Sequence, residues 1–147
     1  MIPERDDRSN AEIRSDALVQ HDEVRVAVRT VLVAIQSVEN AGAHPDALRL
    51  ALTELGIAVR RMHAYETAAL EPALRTLDAW GERRVDELHA QRDVQSSRTP
   101  LPSSSRDELL REARSSLRAV VRALRLEEQG LLAEALWSNN IVNLDPD

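Results

Sequence analysis

With 147 residues and no cysteine, the chain has the length of one domain, enough to bury a core, and holds no disulfide, thiolate metal site or cysteine nucleophile. All 19 basic residues are arginine, which excludes Schiff-base chemistry on a lysine side chain. A formal charge of −6 with two Trp, one Tyr and no Phe argues against a nucleic-acid partner, which needs a basic face and stacking rings. The pairs Arg60–Arg61 and Arg83–Arg84 read as solvated faces. The opening MIPERDDRSN is charged and lacks the apolar centre of a secretory signal. No apolar run approaches the roughly 18 residues that suggest a membrane span. A soluble, cytoplasmic protein without a membrane partner is the expectation.

In chain order, the pattern predicts four helices. The first begins at the capping box Ser9-x-x-Glu12 or later at Ser15, and runs to about residue 38 before the breaker Glu39-Asn40-Ala41-Gly42. Pro45 suits the first turn of the second helix, which runs to about residue 70, where Pro72 ends or kinks it. A short helical piece over 73–80 leads to Gly81. The third helix covers about 82–95, with Val85, Leu88 and His89 inward or nearly so. The stretch SSRTPLPSSS over 96–105 is a loop by composition. Ser105-x-x-Glu108, a second capping box, opens the fourth helix, which the spacing carries to about residue 137 despite Gly130. Residues 1–10 are expected to be flexible, 11–137 to form one all-α, up-down-up-down four-helix bundle, and 138–147 to be an irregular tail in which Ile141, Val142 and Leu144 can dock.

Three apolar seams each carry a polar residue. They run His21, Val24, Val28, Val31, Ile35, Val38, then Leu48, Leu52, Leu55, Val59, Met62, Glu66, Ala69, and then Leu110, Ala113, Leu117, Val120, Leu124, Glu127, Leu131. Steps of three and four keep such residues on one helix face, the face a bundle buries. His21, Glu66 and Glu127 should therefore point inward. A lone buried carboxylate costs on the order of several kcal/mol or more, so each must be paired, protonated or bound to a cation. Counting from the turns puts His21 and Glu66 level, and places His89 level with Glu66 if the chain reverses around Leu77 and Asp78. The loop at 96–105 can span about 33 Å when extended, enough to bring Glu127 to the same height. His21, Glu66, His89 and Glu127 thus form a candidate layer. His63 and Glu128 are candidate substitutes, since either Glu127 or Glu128 can face inward. Each also has a structural reading: a hydrogen-bonded core histidine, a boundary residue for His63, a wet helix edge for the glutamates. Met62 reads as gap-filling core.

Inward His and Glu on several helices are how bundle cores hold non-haem iron or manganese. At QHDEVR, MHAYETAALEPAL, ELHAQRDV and ALRLEEQGLL the chain resembles the hemerythrin-like (HHE cation-binding) family over about residues 21–136. The resemblance puts ligands at His21, Glu66, His89 and Glu127 (or Glu128). It also marks departures: Met62, Val85 and Ala123 stand where family members carry histidines, and His63 lies one position beyond the helix-two ligand. The implied metal is non-haem iron, or manganese or zinc, on an incomplete ligand set, with no other cofactor. The expected function is a non-enzymatic interaction or regulatory module with a degenerate metal site and an unknown protein partner. The alternative is a non-haem metal protein that handles or senses dioxygen, nitric oxide, peroxide or iron. Oligomeric state is not legible. Asp86-x-x-His89 resembles half of the ferritin-type Glu-x-x-His pattern but has no second copy, and no serine with a positioned base and no glycine-rich phosphate loop is present.

Overall fold

The computed structural model describes residues 9–96 and 105–137, with the side chains of 93–96 left out. The expected flexible N-terminus, most of the 96–105 loop and the tail with its docking residues lie outside the described residues. What is described is helical, with no strand among the described residues. The helices are α1 (Asn10–Asn40), α2 (Asp46–Tyr65), a π-helical turn (Glu66–Leu70), α3 (Glu71–Leu77), α4 (Gly81–Ser96), α5 (Arg106–Gln129) and α6 (Glu134–Trp137). Among the described residues no helix is long and apolar enough to cross a membrane.

Local chemistry accounts for most of the boundaries. Of the two starts open to α1, the chain takes the earlier: Ser9 Oγ accepts from the Glu12 N–H at 3.2 Å. At its end, Gly42 takes φ 64°, and the Ala43 N–H reaches back to the Ser37 carbonyl at 3.0 Å. A Cβ at Gly42 would meet nothing within 4 Å, so only the backbone resists a side chain there. Gly42→Ala should therefore lower stability by about 1 kcal/mol, the usual left-handed penalty. Chemical denaturation will read it, and an unchanged midpoint would mean that this turn does not need its left-handed residue. At α5, Ser105 and Glu108 close a reciprocal capping box.

Two differences from the expected elements matter. The fourth helix does not run to residue 137. It stops at Gln129, and the turn from Gly130 leaves the carbonyls of Leu131 and Leu132 to Trp137 Nε1 at 2.7 Å and Arg14 Nε at 2.8 Å. Tertiary partners for those carbonyls, together with the low helix propensity of glycine, favour the break. The other difference is the π turn. Pro72 cannot donate to the Ala68 carbonyl, and its ring crowds that oxygen in a regular helix. The wider turn just before it, closed by Glu71 N–H to Glu66 C=O, admits the proline without ending the rod.

Three helix pairs run antiparallel: α1 with α2, α1 with α5, and α3 with α4. Tyr65 Oη donates to the Ile13 carbonyl at 3.0 Å, tying the end of α2 to the start of α1. Arg106 Nη2 reaches the Val38 carbonyl at 2.9 Å and Arg25 pairs with Glu128, so α5 runs opposite to α1. Arg84–Asp78 and Arg75–Glu82 hold α3 and α4 in a hairpin. Two apolar clusters result. One gathers Val24 to Val38, Leu48 to Met62 and Leu109 to Leu124. The other holds Ile13, Ala17, Leu70, Ala73, Leu74, Val85, Leu88, Leu131, Leu132 and Trp137.

Candidate metal site between the two cores

Between these clusters lies a polar layer. On α1, His21 separates Ala17 of one cluster from Val24 of the other; Glu66 separates Met62 from Leu70, and Glu127 separates Leu124 from Leu131. The three polar residues are 1%, 2% and 2% exposed, so solvent solvates none of them. Each offers a ligand atom within 4.8 Å of the others. His21 Nε2 donates to Glu127 Oε2 at 2.9 Å. Glu66 Oε1 and His21 Nδ1 are buried without a hydrogen-bond partner among the described residues. An unmatched buried acceptor of this kind costs about 1–3 kcal/mol, more when charged, unless a proton or a cation meets it.

The electrostatics say the same. Burial pushes the Glu66 carboxyl up to about 9, with the neighbouring charge and hydrogen bond of Glu127 adding to the shift and Arg92 opposing it. Two carboxylates in a dry layer cannot both stay ionised cheaply. In the metal-free protein burial and the neighbouring Glu127 therefore favour the protonated form of Glu66 at neutral pH.

Around the three sits a shell of arginine and glutamate. Arg92 Nη2 lies 3.3 Å from Glu66 Oε2 and 3.1 Å from Glu71 Oε1. His89 Nε2 donates to Glu71 Oε1 at 2.7 Å. Burial raises the Glu71 carboxyl, but hydrogen bonds from His89 and Arg92 outweigh it and hold the group below its usual range. Glu128 is held low mainly by Arg25, whose guanidinium grips both its oxygens. Its Oε1 stands 3.6 Å from His21 Nδ1, beyond hydrogen-bond reach.

Of the six candidate residues, the structure thus brings together His21, Glu66 and Glu127. Glu128 borders the group while committed to Arg25, with its side chain 24% exposed. His63 is half-buried beside the layer. His89, expected to face inward, has a side chain 46% exposed and serves Glu71. The reason is where the chain reverses. α3 ends at Leu77 and α4 begins at Gly81, so the turn centres on Ala79 rather than on 77–78. Glu66 and Arg92 are each 13 residues from Ala79 (79 − 66 and 92 − 79), which makes Arg92 the residue level with Glu66.

Sequence reasoning missed Glu71, Arg92 and Arg25. Glu71 is 6% exposed although it falls off the α-helical seam. A π turn takes in about one extra residue, which rotates the downstream residues by about 100° and lets Glu71 share nearly one face with Glu66. The available signal was Pro72 directly after an acid. For the arginines the signal was spacing: Arg25 lies four after His21 and Arg92 three after His89, each one turn away on its helix.

No family model, curated protein or solved structure matches this chain. The chemistry follows from the site's own atoms. One imidazole and two carboxylates form a borderline-to-hard donor set suited to Fe²⁺, Mn²⁺ or Zn²⁺. Three ligand atoms each about 2.0–2.2 Å from one ion stand about 3.3–3.8 Å apart. A group whose members lie within 4.8 Å therefore needs closure of up to about 1.5 Å. The residues fit a single ion, and the unmatched Glu66 oxygen is the atom an ion would satisfy.

Proposed function

We propose that this chain is a hemerythrin-like four-helix bundle whose polar layer holds one divalent metal ion, iron, manganese or zinc, and that it works as an interaction or regulatory module rather than an enzyme. The convergence of buried His21, Glu66 and Glu127, with Glu66 Oε1 unmatched, carries this reading. Three protein ligands converge, which suits one ion and falls short of two. Met62 and Ala123 stand where the resemblance puts further histidines, and both are buried side chains without a ligand suited to these metals. The enclosure of the three ligands favours a structural or sensing site over one that turns over substrate. Metal occupancy would then set how tightly the two apolar clusters are coupled.

A second reading rests on Arg92. Its guanidinium already supplies positive charge to Glu66 and Glu71, as a metal would. The layer would then be a hydrogen-bonded remnant of a metal site, in a module that needs no ion.

Elemental analysis separates the two. Protein purified from cells supplied with iron, manganese and zinc should carry close to one metal per chain, and Glu66→Ala should remove it. Chelation should lower the melting temperature of the unmodified protein, because an ion bound only by the folded state stabilises it. Substoichiometric metal with a chelator-independent melting temperature establishes the second reading instead.

A further inference from the structure

A different surface carries an arginine-lined groove. Along the first half of α5 an open groove of about 410 Å³ is lined by Glu39, Arg106, Asp107, Leu110, Arg111, Arg114 and Arg118. Arg114 is 13 residues from Glu127, about 20 Å along the helix, so the groove is separate from the polar layer. Two of its four guanidiniums are committed. Arg106 holds the Val38 carbonyl at 2.9 Å and Asp107 at 3.4 Å, and Arg114 pairs with Glu39. Arg111 and Arg118 have no hydrogen bond or ion pair with any described residue.

The helix around them is unbalanced. Between Ala113 and Leu126 α5 holds no acid, while Arg114, Arg118, Arg122 and Arg125 repeat at steps of four, four and three, all exposed; Arg111, three before Arg114 and next to Glu112, extends the row. Like charges at these spacings destabilise a helix. In a chain of net charge −6, a row of cations at mutual cost, with Arg111 and Arg118 unpaired among the described residues, is a favourable surface for an anion.

We propose that this groove binds a small organic phosphate carrying two anionic groups, such as a diphosphate. Guanidinium forks match phosphate oxygens two at a time. Glu39 and Asp107 hold Arg114 and Arg106 at the walls, and Arg111 and Arg118, two helical turns apart, close on the ligand from the helix face. The volume suits a small molecule rather than a macromolecule. Among the described residues no aromatic ring lines the groove and Leu110 is its single aliphatic side chain, so none of them would stack a nucleobase. Arg122 and Arg125 continue the positive field beyond the groove and steer the anion towards it.

The test is calorimetric titration of the full chain with inorganic pyrophosphate, with no divalent metal added. Saturable one-to-one binding that weakens with salt is expected. The double change Arg111→Gln, Arg118→Gln should reduce affinity by at least about tenfold, the usual scale for losing a charged hydrogen-bond partner. Either single change should give part of that loss, and keeps the result readable if the double variant folds poorly. Arg83→Gln, an equal charge change on exposed α4, should have no effect, and Glu66→Gln should leave pyrophosphate affinity intact, which separates this site from the metal reading. Absence of saturable binding overturns the proposal. So does an equal loss in Arg83→Gln, or binding confined to anionic vesicles or single-stranded DNA that pyrophosphate cannot displace.

Discussion

The metal-free protein should lose stability steadily as pH rises from the ordinary carboxylate range towards about 9, and Glu66→Gln should remove most of that slope. Below about 4.5 the Glu66 carboxyl is protonated in both folded and unfolded chains, and its contribution is constant. Above that, the unfolded chain releases the proton while the folded one keeps it, because burial and Glu127 oppose a second negative charge in the layer. The folded state then binds one more proton than the unfolded state, so stability falls by at most about 1.4 kcal/mol per pH unit. Once the folded group ionises too, near 9, the slope ends. Even part of that maximum, summed over several units, amounts to several kcal/mol against a typical total of about 5–15 kcal/mol. Glu71 and Glu128 work in the opposite sense and in another window. Both are held low in the folded state, so their stabilisation is present above the unfolded carboxyl range and is lost as pH falls below it. Glutamine reproduces the shape of protonated glutamate and cannot ionise, so the variant should be the more stable protein at pH 8 to 9 when both are metal-free. Urea unfolding across pH, in the presence of a chelator, measures this directly. A wild-type profile as flat as that of Glu66→Gln would show that the two carboxyls do not share one dry layer. Metal should act against the slope, since an ion displaces the Glu66 proton and binds more tightly as pH rises.

Gly81→Ala should be among the most damaging single changes outside the polar layer. A Cβ at Gly81 would fall 2.5 Å from the Leu74 carbonyl oxygen and 2.6 Å from both Arg75 Cα and its carbonyl oxygen. These are backbone atoms of α3, so no side chain can swing aside; the two helices must separate. A loss of about 3 kcal/mol or more is expected, the upper range for overpacking. In a chain of this size that is on the order of 10 °C in melting temperature. The damage should reach the candidate site, because Gly81 fixes how α4 leans on α3, and α4 carries the His89 and Arg92 that hold Glu71. Circular-dichroism melting is a sufficient test. A variant that melts within a degree or two of wild type would mean that α3 and α4 are not packed this closely.

Much of the helical order was legible because it is local. Seams at steps of three and four located the buried faces of α1 and α5, and the Ser105 box placed the start of α5, while for α1 both Ser9 and Ser15 stood open. The same periodicity exposed His21, Glu66 and Glu127 as polar residues at inward positions, because a helix turns at a fixed angle per residue whatever surrounds it. The sequence by itself therefore determined which faces are buried and that polar side chains, His21 and Glu66 among them, interrupt those faces. What it left undecided depends on distances between segments. The reversal at Ala79 rather than 77–78 moves α4 along α3, which puts Arg92 beside Glu66 and sends His89 to Glu71. The π turn before Pro72 brings Glu71 under the layer, where a regular helix would have turned it away. Glu127 rather than Glu128 enters the core because Arg25, on a different helix, holds Glu128 at the edge. These outcomes each hinge on a shift of one to three residues in where neighbouring segments meet. Periodicity within a helix is blind to such a shift, and only tertiary packing decides it.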